Sequence, residues 1–322
     1  MKTAIITGIT GQDGAYLSEL LLKEGYKVIG LVRGNTSLDL WRLEYLKIKD
    51  KILFEECDLL DMSSIMYILR LYQPIEFYNL AAQSSVASSF RNPISTIHFN
   101  TISVLNILES IRLADLNTRF YQASSSEMYG YVPAELLPID ENTPLHPLSP
   151  YAISKATAHW TTINYRESYG LYACCGILFN HESYLRTSTF FIKKVLTDAL
   201  AIKFGEKNIL EVGNLMVKRD FGFAKDYVRA MWMILQANKP DDYIICSGKS
   251  YMLKDIVEYI FKKLSIPLGK IQIVKHLYRP TDIQDIYGDN TKAKDLLGWE
   301  YNKDFFNVLD LLIQEEERNY TK

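Results

Sequence analysis

The chain has 322 residues, which bounds it at about two domains, or one large α/β unit with an attached lobe. Its formal net charge is −2 and no block of like charge stands out, which removes the electrostatic footprint of a nucleic-acid or membrane-surface protein. Cysteines at 57, 174, 175 and 246 fit no metal spacing, and no stretch nears the ~18 apolar residues of a membrane helix or the h-region of a signal peptide; a reduced, cytoplasmic protein without metal, nucleic-acid or membrane partner is expected.

Residues 2–7, KTAIIT, read as a short strand. GITGQDG follows and puts glycines at 8, 11 and 14; Leu17, Leu20 and Leu21 then recur at helical spacing until Gly25. Residues 27–32 form a second strand, completing a βαβ unit. Glycines at such a turn let backbone N–H groups approach a pyrophosphate, and the helix N-terminus adds a favourable dipole. Strand and helix on either side separate this motif from an ordinary tight turn. The second strand ends in LVRG. No acid closes it to accept from the ribose 2′-OH of NAD, and Arg33 suits a 2′-phosphate, so NADP is expected over NAD.

The alternation continues. Strands are expected at 52–54, 76–80, 119–122 and 172–179, and helices at 63–71, 95–114 and 151–167. Gly8, Arg33, Asp58, Ala81 and Ser124 all fall just after strands. A parallel, doubly wound sheet of Rossmann type would collect them in one crevice at its carboxyl edge. Beyond residue 180 the pattern becomes irregular, with helices near 190–204, 224–237, 253–264 and 305–317. The expected division is a dinucleotide-binding domain over 1–180 and a smaller mixed α/β substrate lobe over 181–322, with later strands allowed to interleave.

The most informative stretch runs from Phe120 to Lys155: FYQASSSEMYG, an insert, then ENTPLHPLSPYAISK. Tyr151 and Lys155 are one helical turn apart, so both lie on one face. An ammonium there lowers the phenol pKa from about 10 and makes Tyr151 a proton acceptor. Without the glycine turn, the pair would read as a surface couple.

These motifs together resemble the extended short-chain dehydrogenase/reductases and, more narrowly, the GDP-mannose 4,6-dehydratase family. The matching stretches include ITGITGQDGAYL, YNLAAQS, FYQASSSEMYG, SPYAISK, GILFNHES, KRDFGFAKDYVRAMW and LYRPTD, spread over almost the whole chain. The resemblance implies a lyase with NADP as cofactor. It oxidises C4 of a GDP-hexose or GDP-heptose, loses water across C5 and C6, and reduces C6. Tyr151 would take the 4-OH proton, Ser125 would hydrogen-bond the 4-oxygen, Glu127 would remove the C5 proton, and Lys155 would hold the ribose. The implied cofactor contacts start with the turn residues Gly8, Thr10, Gly11, Gln12, Asp13 and Gly14. They continue through Arg33, Asp58, Leu59, Leu80, Ala81, Ala82 and Ser84, and end with Tyr151, Lys155, His181 and Arg186. For the nucleotide-sugar, the resemblance implies Ser85, Glu127, Asn180, Lys194, Arg219, Arg279 and Asp282. Two arginines and a lysine would neutralise the pyrophosphate. A homodimer or homotetramer is implied as well.

The chain departs from the family's usual pattern at Leu148, at 184–187, at 214–217 and at Gly34, in a loop that touches a neighbouring subunit in the family. Because 148 and 184–187 are expected beside the sugar, the departures raise hexoses other than mannose, GDP-heptoses and GDP-amino-sugars. Two other readings stay open. A 4-epimerase or 4-keto reductase needs the hydroxyls but no acid at 127, and a non-catalytic nucleotide-binding protein needs neither.

Overall fold

The computed structural model describes residues 2–34 and 39–320. Its first half alternates strand and helix: β1 (Thr3–Thr7), α1 (Gln12–Lys23), β2 (Lys27–Val32), α2 (Trp41–Tyr45), β3 (Leu53–Glu56), α3 (Met62–Tyr72), β4 (Glu76–Asn79), α4 (Val86–Arg91), α5 (Pro93–Leu113), β5 (Arg119–Ser125), α6 (Pro150–Tyr169) and β6 (Ala173–Leu178). The second half contains β7 (Asn180–Glu182), α7 (Phe191–Lys203), β8 (Leu210–Val212), β9 (Lys218–Phe223), α8 (Ala224–Gln236), β10 (Asp242–Ile245), β11 (Ser250–Met252), α9 (Leu253–Lys263), β12 (Ile271–Ile273), α10 (Thr291–Leu297) and α11 (Phe305–Tyr320).

The large sheet has the order β10-β6-β5-β4-β1-β2-β3, and every pairing in it is parallel. A strand followed by a helix must cross over to a parallel neighbour, which is why short apolar runs such as TAIIT and ACCGIL become fully covered strands. Chain order reverses at β1, which has β2 on one side and β4 on the other. That switch point opens a crevice at the carboxyl ends of β1 and β4. At this place the two loops nearly touch: a Cβ on Gly8, whose φ is +68°, would lie 2.9 Å from the backbone of Leu80 and Ala81. A Cβ on Gly14 would meet the Gly8 carbonyl at 2.4 Å, so that glycine sets how closely α1 packs on the turn.

Helix α6 is delimited by its own sequence. Ser149 caps it by accepting from Ala152 N–H at 3.1 Å, Pro150 occupies the first turn, and Gly170 ends it in the left-handed region. Its inward face buries Tyr151, Lys155 and His159. Two smaller sheets, β11-β9-β7 and β12-β8, accompany a second core built on α7, α9 and α11. Strand β10 returns from residue 242 to pair with β6, and α8 packs on α1, so the large sheet is completed from beyond residue 181.

Candidate active site

Two cavities lie at the carboxyl edge of the large sheet, and a third adjoins them among the elements of the second half. The first, about 400 Å³, lies under the glycine turn between Gly8, Thr10, Arg33, Leu59 and Ala81. Arg33 is exposed and stacks over the Phe99 ring at 5.2 Å. Residues 35–38 of the loop after Gly34 lie outside the described residues. No side chain caps the N-terminus of α1, so its first-turn N–H groups and dipole are free for an anion. Asp58 is exposed and accepts from its own loop, from Leu60 N–H at 2.9 Å; its neighbours Cys57 and Leu59 line the cavity instead.

The second cavity, about 210 Å³, collects Asp13, Leu80, Ala82, Ser84, Ser85, Ser125, Glu127, Tyr151, Lys155, Asn180, His181 and Arg186. Strand β5 runs on to Ser125, three residues further than expected, because the small hydroxyl side chains pack against β6, with Ser125 opposite Leu178. Ser125 Oγ accepts from Glu127 N–H at 3.3 Å, which folds the acid back over the strand end. Ser85 caps α4 by accepting from Ser88 N–H at 3.2 Å.

The expected lowering of the Tyr151 pKa is not what this arrangement does. Tyr151 is 8 % exposed and Lys155 5 %. Burial pushes the phenol up to about 12; a hydrogen bond with Ser125 and the charge of Arg186 act against it, while Glu127 and Asp13 add to it. Burial likewise brings the Lys155 ammonium down to about 8. The ammonium is held by the Ala123 carbonyl at 2.7 Å and lies 5.9 Å from the Tyr151 ring, which is why it gives the phenolate little help.

The third cavity, about 270 Å³, adjoins the second through Glu127, Asn180, Arg186, Thr189, Phe190, Phe191 and Arg279. It brings Lys194, Arg219 and Asp282 together with Asn180 and Arg279. Arg219 is 6 % exposed; it donates to Asp282 Oδ1 at 2.9 Å and to the Ile283 carbonyl at 2.6 Å. Lys194 donates to the Glu211 carbonyl at 2.7 Å. Arg279 Nη1 lies 3.6 Å from Glu127 Oε1, so one ion pair bridges the second and third cavities.

The departures at 148, 184 and 185 are not at these walls. Leu148 packs into an apolar cluster with Met128 and Ile283, and its carbonyl accepts from Thr281 Oγ1 at 2.9 Å. Tyr184 packs against Trp41 and Tyr45, and Leu185 is fully buried. Of the remaining departures, Asn214 and Val217 line the third cavity. Leu148 and Tyr184 therefore give no structural ground for an unusual sugar.

Gln12 and Asp13 also make side-chain contacts across the crevice. Gln12 is buried, and its side chain joins the segment after β6: Ser183 Oγ donates to Gln12 Oε1 at 2.7 Å, and Gln12 Nε2 donates to the His181 carbonyl at 3.2 Å. His181 Nδ1 lies 2.7 Å from the Phe179 carbonyl, and Nε2 lies 3.0 Å from Asp13 Oδ2. Burial opposes ionisation of Asp13, yet His181 and Arg186 hold its carboxyl below the usual range. Sequence reasoning missed Arg42, Glu182, Thr189, Phe190 and Phe191. Glu182 lies inside NHES and was the one with a local signal, a charged residue in an otherwise strand-like run.

Among the described residues, one His/Cys/Asp group, His159, Cys175 and Asp242, has donor atoms within 4.8 Å of each other. Asp242 spends both oxygens on Arg166, at 2.9 and 2.7 Å, and His159 Nδ1 is at 3.1 Å from Ser124 Oγ. A guanidinium against the carboxylate disfavours a cation there.

A family model described as GDP-mannose 4,6 dehydratase matches residues 5–312. GDP-mannose 4,6 dehydratase 1 of Arabidopsis thaliana is 42 % identical, covering 98 % of this chain and 90 % of its own length. Among solved structures, RMD from Pseudomonas aeruginosa complexed with NADPH superposes with a TM-score of 0.83 at 24 % identity, covering 99 % of this chain and all of its own. The dTDP-glucose 4,6-dehydratase DesIV from Streptomyces venezuelae, with NAD and TYD bound, gives 0.89 at 20 % identity, over 98 % and 97 %. The solved structures speak for the Rossmann-type fold alone; the family match and the relative cover nearly the whole chain, and the chain belongs to the GDP-mannose 4,6-dehydratase family.

Proposed function

We propose that this protein is a GDP-sugar 4,6-dehydratase acting on GDP-mannose or a related GDP-hexose, with NADP as cofactor. The observation that carries the reading is an acid set among hydroxyls: Glu127 beside Ser125 and Tyr151, in a cavity that opens onto Arg219, Arg279 and Lys194. A 4-epimerase or 4-keto reductase would leave the acid without a task.

The residues fit a dinucleotide. Gly8 lets the turn close on Ala81, α1 has an uncapped N-terminus for a pyrophosphate, and cavities lie at Arg33 on one side and at Tyr151 on the other. The backbone of the turn at Gly8, Thr10 and Gly11 and the Asp13 N–H at the start of α1 would face the pyrophosphate, Leu59 and Arg33 the adenosine end, and Lys155, His181 and Arg186 the nicotinamide end. Arg33, at a strand end without an acid, favours NADP over NAD. The chemistry that a bound nicotinamide would supply beside Tyr151 is reversible hydride transfer with the sugar.

The chain's own residues manage protons. Tyr151 Oη would accept the 4-OH proton, with Ser125 Oγ hydrogen-bonded to the 4-oxygen. The ketone would acidify C5; Glu127 would take that proton and pass it to the departing 6-OH, which leaves as water, and the 4-OH proton held by Tyr151 would return to C5 once C6 is reduced. Lys155 Nζ, moved off the Ala123 carbonyl towards Tyr151, would favour the phenolate. Asn180, Lys194, Arg219, Arg279 and Asp282 would hold the nucleotide, the cations neutralising its pyrophosphate.

The working division is a cofactor half, 1–180 with β10 added, and a substrate lobe from 181. A homodimer or homotetramer is proposed. The exposed Ile153 and Trp160 of α6 and Leu105 of α5 supply an apolar face for a second copy. Four free, buried cysteines suit the cytoplasm, and among the described residues no helix is long and apolar enough to cross a membrane.

The test is incubation with GDP-mannose deuterated at C4. The expected product is lighter by one water, carries the deuterium at C6 and leaves no net reduced cofactor. Stoichiometric cofactor reduction without water loss, or a 4-epimer as product, would overturn the reading.

A further inference from the structure

The glycine turn and the loop after β7 are about 170 residues apart in sequence, yet side chains knit them together. Gln12 and Asp13 contact Ser183 and His181, as described. Arg42 completes the set. Its Nε donates to the Leu185 carbonyl at 2.7 Å, Nη1 to the Thr10 carbonyl at 3.1 Å, and Nη2 to Thr187 Oγ1 at 3.3 Å. The guanidinium rests on the Trp41 ring at 4.7 Å, and its side chain is 9 % exposed. A buried guanidinium needs partners, and the nearest carboxylate, Asp39, is 3.9 Å away and exposed. Two carbonyls and a hydroxyl do that work instead. Only a planar fork with diverging N–H groups reaches three acceptors on two segments; an ammonium does not.

The loop so held carries Arg186, which lines both the second and third cavities. Arg186 is weakly fixed by its own contacts. Its Nε and Glu182 Oε2 are 3.7 Å apart, and both are buried without a hydrogen-bond partner. The guanidinium also sits over the Phe190 ring at 3.6 Å, a contact that does not orient its N–H groups. Its place in the cleft is therefore set by the anchors of the loop at Ser183, Leu185 and Thr187.

We infer that Arg42 is a positioning residue that locks the loop bearing Arg186 onto the glycine turn, so that filling the turn and ordering the substrate wall become one event. The inference rests on the proposed two-ligand cleft. It predicts that cofactor and nucleotide binding are coupled, and that the coupling runs through the fork of Arg42 and not through its charge.

The experiment has two arms. In the first, calorimetry measures GDP affinity with and without saturating NADP for the wild type, Arg42→Lys and Thr187→Val. Thr187 is exposed, so its substitution should cost little stability. The wild type should bind GDP roughly 10-fold more tightly when NADP is bound, Arg42→Lys should lose most of that ratio, and Thr187→Val should lose part of it. A wild-type ratio retained in Arg42→Lys would overturn the inference. The second arm is hydrogen exchange on the ligand-free protein. Arg42→Lys should speed exchange in residues 8–14 and 183–190 together; acceleration confined to 41–45 would overturn the clamp. This arm needs no ligand. A wild type that binds neither GDP nor NADP, with both segments still loosened together in the variant, overturns the proposed function and leaves the clamp standing.

Discussion

The two ends of the cleft treat charge in opposite ways. Around Tyr151 the groups are buried and strained towards neutrality: the phenol is pushed up to about 12 and the Lys155 ammonium down to about 8. Around Arg219 the charges are already matched, with Asp282 on Arg219 and Glu127 on Arg279. The first end can exchange protons when its surroundings change; the second holds charges already paired and oriented in the cavity. Glu127 belongs to both, since it lines the two cavities and pairs with the arginine expected to meet the pyrophosphate.

The strongest way to break this contrast is at Glu127. Glu127→Gln should cut water elimination by about 10²–10⁴-fold while C4 oxidation persists. Mass spectrometry should find no dehydrated product, and nicotinamide absorbance should show reduced cofactor accumulating. Equal activity in the variant would remove the acid from the chemistry. Tyr151→Phe should stop both steps.

At the other end, Arg219→Met removes one member of a buried pair and should weaken GDP binding by on the order of 2–5 kcal/mol, read by calorimetry. Arg279 is more exposed, so Arg279→Met should weaken binding less, yet change kcat as well as KM because it frees Glu127. A pure KM effect in Arg279→Met would separate the two ends completely.

Lys155 offers a smaller, pH-dependent effect. Its folded pKa of about 8 lies below the ordinary 10.5, so the unfolded chain binds a proton that the folded one lacks between those values. Stability should therefore rise with pH across that window, and below it the buried charge is a burden. Lys155→Met should stabilise the protein at pH 7 by on the order of 1 kcal/mol, with the gain fading by about pH 10. Denaturant unfolding at the two pH values checks it. The smallest change is expected from Leu148→Arg, since Leu148 packs outside the cavities: GDP-mannose KM unchanged within about twofold, stability lower by about 1 kcal/mol. A large KM change there would return position 148 to the sugar.

Much was legible in the sequence because it is written in short-range patterns. Glycine spacing and apolar periodicity located β1, α1, β2 and α6 to within a few residues. The turn Tyr151–Lys155 put both side chains on one face because helical geometry alone demands it. The resemblance named Asn180, Lys194, Arg219, Arg279 and Asp282 together, and the fold brings all of them to one cavity.

Other features depended on which distant segments meet. Burial made Tyr151 harder to ionise, and the Ala123 carbonyl took Lys155, because desolvation and partner choice belong to packing and not to spacing. Leu148 and Tyr184 turned away from the cleft into apolar neighbours supplied by Ile283 and Trp41. Gln12, Asp13 and Arg42 found partners across the crevice, in a loop that no local pattern connects to them. The sequence by itself determined the alternating elements of the first half and their parallel sheet, since these follow from periodicity and local motifs, and its resemblance pointed to the family. Only the tertiary structure decided how burial shifts the ionisable groups of the site and how its walls are anchored, since both depend on contacts between residues that the chain order keeps apart.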